Sequence, residues 1–431
     1  MLLRLSDSFS RALLVIGSLL VALWVSFFGV RSGFAGRVAE GNSTNDLRLA
    51  VRLEPGNPEY WYRLGHYQQF NLEQPDIVAS VESFQKAVAL NPGYTAAWLD
   101  LGTAYELDGK TDAAQAAFLR AKQTYPASAE VAWRYGNFLL RQGNLSGAFA
   151  ELRLAVKSDP SRAGAVFSRA YRADPDIDEI LNNLLPPLPG VYIDAIAEAV
   201  DSQQLAVAQT MWMRLMKLNP HLEIRQFDKF VEALKSHRDF DAASRVWNQG
   251  TSTMNLPPLL RPLDSVLWDP SFESGIRNIS FAWFFHSLEE GVHTEFDTTE
   301  KLSGKQSLRL TFDGKHNPGG EVACASGVVT PGSKYLFSGW LKTKMITGDQ
   351  GVRFHLRSFE HNSFQVSSTR EIHGTTPWTL IQQDWTAGTG VQIVEVCVSR
   401  EPSTDPDIHI SGDAWVDDVT LVPKATERHR P

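Results

Sequence analysis

Two adjacent acids, Asp417 and Asp418, interrupt the last alternating run of the chain, "AWVDDVTLVP" at 414–423. Carboxylates there could accept turn amides or ligate a cation. More residues able to do chemistry crowd the same third. In "SKYLFSGWLKT", Trp340 and Lys342 fall opposite Phe337 and Leu341. In "GVRFHLRSFE", Arg353, His355 and Arg357 alternate with Val352, Phe354 and Leu356, and in "SLRLTF" Arg309 opposes Leu308, Leu310 and Phe312. If these second faces line one sheet, they combine an aromatic platform with cations suited to hydroxyls or carboxylates. The plainer reading makes Trp340 a cap on the core beside a solvated basic face.

Enzyme chemistry has no comparable footing. H-E-x-x-H, G-x-S-x-G and the P-loop are all missing. The acidic stretch from Asp174 to Asp178 starts like an EF-hand loop, but Glu179 stands where glycine is needed. Seven of eleven histidines fall within 286–409, none at zinc-finger spacing. We expect no catalysis and no required cofactor. Net charge is −8 with no basic tract, which argues against nucleic acid. The two cysteines, Cys324 and Cys397, allow one disulfide in an oxidising compartment or two buried thiols.

The chain of 431 residues is too long for one ordinary domain. Residues 1–37 read as a membrane anchor. The run from Ala12 to Val30 is uncharged, and as a helix it reaches roughly 28 Å, the hydrocarbon thickness of a bilayer. A cleaved signal has a shorter apolar region and a small-x-small site, so an uncleaved anchor is preferred. Arg4 and Arg11 before the span nearly balance Arg31 and Arg37 after it, leaving orientation to the rest of the chain.

Residues 40–250 carry a period. Trp98, Leu101, Gly102 and Tyr105 are followed by Ala114, Phe118, Ala121 and Pro126; Tyr135, Gly136, Leu139, Ala148, Leu152, Ala155 and Pro160 repeat the set 34 residues on. This spacing resembles the tetratricopeptide repeat. Small Gly102 and Ala114 let two helices approach, Tyr105 and Phe118 fill the space, and Pro126 ends the pair. One unit earlier, Phe84, Ala87 and Pro92 fit directly, while Trp61, Leu64 and Gly65 fit with three residues inserted near "NLEQPD". Leu47, Ala50 and Pro55 look like the second helix of a partial capping unit. Pro186, Pro187 and Pro189 make an irregular joint; the period returns at Ala208, Trp212, Leu215 and Pro220, then at Ala242 and Val246. Trp98, Trp133 and Trp212 read as packing residues. The resemblance implies a groove for protein partners.

A proline-rich linker, 251–266, precedes short alternating runs separated by turn residues, the texture of a sandwich or barrel. From 267 to 423, "WDPSFESG", "LSGKQSLRLTF", "VTPGSKYLFSGWLKT", "TPWTL" and "GDAWVDDVTLVP" resemble, in that order, jelly-roll carbohydrate-binding modules of the galactose-binding-like kind; 424–431 is a tail. The resemblance implies a first strand beside the last, with a structural calcium held by Glu273 and Asp417 and backbone oxygens near Gly304 or Lys305. It also makes a polysaccharide the ligand for the Trp340, Lys342, Arg353, His355, Arg357 and Arg309 set, with Trp340 stacking on a sugar ring.

The expected architecture is an N-terminal transmembrane helix, a tetratricopeptide-type α-solenoid and a C-terminal antiparallel β-sandwich. The expected function is a non-catalytic scaffold in a bacterial cell-envelope or exopolysaccharide system. Its N-terminus would be cytoplasmic and its bulk periplasmic or extracellular. The alternative is an adaptor for proteins alone, whose β-domain binds no carbohydrate.

Overall fold

The protein is described from a computed structural model covering residues 8–424, apart from 42, 72–74, 257–263, 287–289, 361–362 and 406–407. Residues 72–74 of the expected insertion, most of the linker and nearly all of the tail lie outside the described residues. The chain divides into two compact units between Pro186 and Pro187.

Unit one is helical: α1 (Ser8–Ala39), α2 (Thr44–Leu53), α3 (Pro58–Phe70), α4 (Ile77–Leu90), α5 (Thr95–Leu107), α6 (Thr111–Thr124), α7 (Ala129–Arg141), α8 (Leu145–Ser158), α9 (Ala163–Ala173) and a short α10 (Ile177–Glu179). Polar side chains start several of them. Asn57 accepts from Glu59 N with Pro58 at the first position, Asp76 accepts from Ala79 N, and Asn144 from Gly147 N. Asp176, inside the EF-hand-like stretch, caps α10 by accepting from the amides of Asp178 and Glu179.

Helix pairing explains the periodic glycines. A Cβ on Gly65 would meet the Phe84 ring at 2.8 Å, one on Gly102 the Phe118 ring at 3.0 Å, and one on Gly136 the Leu152 side chain at 2.8 Å. Each glycine is where the first helix of a pair touches the second. The tryptophans repeat a bond as well: Trp61 Nε1 donates to Pro55 O and Trp98 Nε1 to Pro92 O, both at 2.9 Å.

α1 differs from the expected anchor in length. It does not stop after Val30 but continues unbroken to Ala39, and Ala35 and Ala39 are fully buried. Its last turns serve as the first helix of the partial unit, with α2 as the second. No proline intervenes after Val30, so nothing in the backbone ends the helix at the end of the apolar run.

In unit two, α11 (Pro189–Asp201) opens with Pro189 at its first position, where a missing N–H costs nothing, and α12 (Leu205–Met216), α13 (Asp228–Ser236) and α14 (Phe240–Ser252) follow. Together with α1–α10 this makes fourteen α-helices among the described residues. Ten strands follow: β1 (Phe284–Phe285), β2 (Val292–Asp297), β3 (Ser307–Asp313), β4 (Gly320–Val328), β5 (Lys334–Ile346), β6 (Val352–Glu360), β7 (Ser363–Ser368), β8 (Gly374–Thr386), β9 (Ile393–Arg400) and β10 (Ser411–Pro423). They build two five-stranded sheets, ordered β1-β4-β9-β6-β7 and β2-β3-β10-β5-β8, with antiparallel pairing throughout. Leu308, Leu310, Phe337, Leu341, Phe354, Leu356, Val396, Val398 and Val416 fill the space between them. The period-two alternation of these strands supplies that inner face.

The last helices pack on the first segment of the sandwich. The Trp247 and Trp268 rings lie 5.1 Å apart edge to face, Trp247 also meets Phe281, and Lys235 sits over the Phe281 ring while donating to Ser280 O. Ser265 and Val266, assigned to the linker on sequence, already bond to the closing strand: Val266 N donates to Leu421 O.

Candidate functional site

The acids occupy a bulge. β10 pairs with β3 on one side and β5 on the other, and its register against β5 shifts between Asp417 and Thr420. Asp418 takes a left-handed φ of 46°, which aspartate tolerates better than most residues. The bulge turns one carboxylate, Asp417, toward the 302–303 amides and the next, Asp418, toward Ser271 of the first segment. Asp417, fully buried, accepts from Leu302 N at 2.9 Å, Ser303 N at 3.1 Å and Asp418 N at 2.8 Å. Asp418 accepts from the Ser271 and Ser303 hydroxyls, and Glu273 from Lys305 N and Gln306 N. Asp269 accepts from Glu273 N and Ser274 N. The turn 302–306 is thus held from both sides, by the first segment and by the last strand.

Burial pushes the Asp417 carboxyl up to about 7, against the lowering effect of its amide donors, with Asp418 adding to the rise. Burial also raises Asp269. Among the described residues neither Asp417 nor Glu273 is in an ion pair. A cation would therefore suit the electrostatics. The coordination is thinner: among the described residues no three His, Cys, Asp or Glu side chains converge as a metal set. Backbone oxygens would have to complete any calcium shell.

The six residues expected on one ligand face lie on two sheets. Arg309, Trp340 and Lys342 belong to the β2-β3-β10-β5-β8 sheet; Arg353, His355 and Arg357 belong to the other. They cannot form one platform, because their outward faces point to opposite sides of the sandwich.

The first face is closed by its own charges. Trp415 on β10 lies between Arg309 and Lys342, each 5.5 Å from its ring, and is only 4% exposed. Its Nε1 donates to Asp297 at 2.9 Å. Burial pushes Asp297 up, yet hydrogen bonds from Thr299, Trp415 and nearby amides outweigh it and leave the carboxyl well below its ordinary value. Arg309 pairs with Asp413 at 2.9 Å and Glu295 at 3.1 Å, and Lys342 with Glu300. Trp340 is half-buried opposite Asp417 and Leu380. Sequence reading missed Trp415, although its parity with Asp413 and Asp417 marks it as outward.

The second face is more open. Cys324 and Cys397 are direct cross-strand partners joined by a disulfide with S–S 2.07 Å. His355 is the next residue across the sheet, 5% exposed, and neither ring nitrogen has a hydrogen-bond partner. Glu321 and Glu401 stand 3.7 and 3.4 Å from those nitrogens, within ion-pair range but outside hydrogen-bond geometry. Arg353 pairs with Glu371; Arg357 reaches Glu321 at 3.4 Å and lies 5.2 Å from the Phe364 ring. Phe284, Phe364 and Val366 are about half exposed or more along the two edges of this sheet.

In the helical array Trp212 is buried, while Trp98 and Trp133 are half-buried. Trp133 carries the guanidinium of Arg169 at 4.8 Å.

Fold and faces together define a tetratricopeptide-type array with a two-sheet β-sandwich. Comparison with known families agrees for the array: two family models, both described as tetratricopeptide repeat, match residues 83–116 and 108–163. Curated proteins give no match. Among solved structures, a "Family 16 Carbohydrate Binding Module-2" is 16% identical, with 36% of this chain and 99% of that one covered and a TM-score of 0.27. The CBM22-1 xylan-binding domain of Paenibacillus barcinonensis Xyn10C is 18% identical, covering 33% and 87%, at 0.25. MamA protein is 16% identical, covering 41% and 94%, at 0.32.

Proposed function

We propose that this chain is a non-catalytic, membrane-anchored scaffold whose helical array binds protein partners and whose sandwich binds a glycan. The ligand face is the outer side of the β1-β4-β9-β6-β7 sheet. One observation carries the choice: Phe364 and Val366 are more than half exposed on that sheet, whereas Trp415 on the opposite face is 4% exposed between Arg309 and Lys342. On the same sheet the His355 ring nitrogens are buried, 3.7 and 3.4 Å from Glu321 and Glu401, so this residue would position those carboxylates for ligand hydroxyls rather than meet the ligand itself. The exposed Phe364 gives a sugar ring an apolar surface next to Arg357.

The anchor is the apolar stretch of α1, with Arg11 to Ala39 long and apolar enough to cross a bilayer. The disulfide and the glycan face favour an N-terminus in the cytoplasm and the remainder in the periplasm or outside the cell, as in a cell-envelope or exopolysaccharide system. A calcium ion held by Glu273 and Asp417 with backbone oxygens belongs to the same proposal; it would balance two buried carboxylates and lock the first segment to the last strand.

A glycan array probed with the full chain in detergent tests the ligand face. Phe364→Ala and His355→Ala should abolish the signal and Trp340→Ala should leave it. Loss with Trp340→Ala alone would move the site to the other sheet, and an array blank for the wild type would leave the protein–protein adaptor. A reporter fused after Pro431 should be active only outside the cytoplasm.

A further inference from the structure

The anchor helix meets the array at a corner lined by opposite charges. On the anchor reading, on which this inference rests, Arg31 marks the bilayer–water boundary, because it is the first charge after the uncharged run from Ala12 to Val30. α2 runs back along α1, and Arg31 Nε donates to Leu53 O. The turn from α2 to α3 therefore lies level with Arg31, at the membrane surface rather than out in solvent. A crevice of about 490 Å³ opens there, lined by Phe28, Arg31, Glu54 and Asn57 between Pro55 and Pro58.

Within it, Arg31 lies 5.9 Å from the Phe28 ring. Glu54 accepts from Asn57 Nδ2 at 3.4 Å. Arg31 and Glu54 line the same crevice, yet among the described residues they form no ion pair with each other or with any other side chain. A cation beside an aromatic ring and an anion not paired with it thus line one crevice at the level of the headgroups.

We propose that this crevice binds a lipid headgroup carrying both a phosphate and a primary ammonium, that is, phosphatidylethanolamine. Arginine suits the phosphate, and a carboxylate suits an ammonium that can donate hydrogen bonds. A choline headgroup has the same charges but no N–H to donate to Glu54. A glycerol headgroup leaves the phosphate charge facing Glu54 without compensation.

The full chain is reconstituted in nanodiscs of equal phosphatidylethanolamine, phosphatidylcholine and phosphatidylglycerol, and the lipid retained after detergent extraction is measured by mass spectrometry. Ethanolamine lipid should be enriched over choline lipid by about tenfold, as one charge-assisted hydrogen bond at a partly wetted site allows. Glu54→Gln should erase that preference while leaving the helical circular dichroism unchanged, and Arg31→Ala should lower retention of all three lipids. Equal retention of ethanolamine and choline lipid, enrichment of the glycerol lipid, or a Glu54→Gln variant that keeps the preference overturns the proposal. Failure of the chain to enter the discs at all sinks the anchor, and this inference with it; entry without lipid preference sinks this inference alone.

Discussion

The helical array and the sandwich hold together in opposite ways. In unit one the decisive contacts join neighbours in sequence: Gly65 to Phe84, Gly102 to Phe118, Gly136 to Leu152. In the sandwich they join the ends of the domain: Ser271 to Asp418, Val266 to Leu421, and the turn 302–306 to Asp417. Repeated local contacts confine damage to one unit. A seam between first and last segments spreads damage across the domain, because it ties together residues far apart in sequence.

The sharpest test of this contrast is where the sandwich begins. Trp268 and Phe281 are buried against Trp247 of α14, so a chain cut to start at residue 260 uncovers both. Exposing two large aromatic side chains costs on the order of 4 kcal/mol. We expect a chain starting at residue 187 to give a soluble, cooperative melt and one starting at 260 to melt much lower or aggregate. Equal melting temperatures would show that the sandwich stands without helices α11–α14.

Next in size is the seam. Asp417→Ala removes the acceptor of three amide N–H groups at a fully buried position, and about 3 kcal/mol of sandwich stability should go with it, since each stranded donor costs about 1–3 kcal/mol. The loss should appear as a lower melting temperature for the sandwich with the array transition unmoved. In the array, Gly136→Ala places a Cβ 2.8 Å from Leu152, an overpacking that costs about 1–3 kcal/mol. Gly56→Ala, with nothing within 4 Å, should cost almost nothing. Hydrogen exchange should show the Gly136→Ala loss in α7 and α8 and leave the sandwich amides untouched; spread of the effect into β10 would break the contrast.

The same contrast decides what could be read from sequence. The array was legible because its contacts recur at a fixed spacing; even the extra residues before α4 show in the glycines, 37 apart from Gly65 to Gly102 and 34 apart from Gly102 to Gly136. Strand alternation likewise separated Leu308, Phe337 and Leu356 from Arg309, Trp340 and Arg357. It could not say which strands share a sheet, because that order follows from pairings such as β3 with β10, about a hundred residues apart. So one imagined platform became two faces. Trp415 escaped notice for the same reason, since its cover comes from Asp297, Arg309 and Lys342 on three other parts of the chain.

The smallest expected effect separates an amide latch from an ion site at Asp417. In the folded protein its carboxyl is raised to about 7 from an ordinary 3.8, so the folded state holds that proton more tightly than the unfolded chain does. The stability this contributes is complete below about pH 4 and is lost as pH rises through about 7. In chelator, the melting temperature of the sandwich should therefore fall between pH 5 and pH 8, and Asp417→Asn should flatten the fall. Calcium acts in the opposite sense, because it binds the ionised carboxylate and only in the folded state. At a hundredfold excess over its dissociation constant it would add about 2.7 kcal/mol. It should act at pH 8, where Asp417 is ionised, far more than at pH 5, so calcium should cancel most of the fall. A fall that calcium leaves unchanged means that Asp417 serves the amides of the 302–306 turn and nothing else. No fall in chelator at all means that those amides stabilise the ionised carboxylate enough to offset its burial.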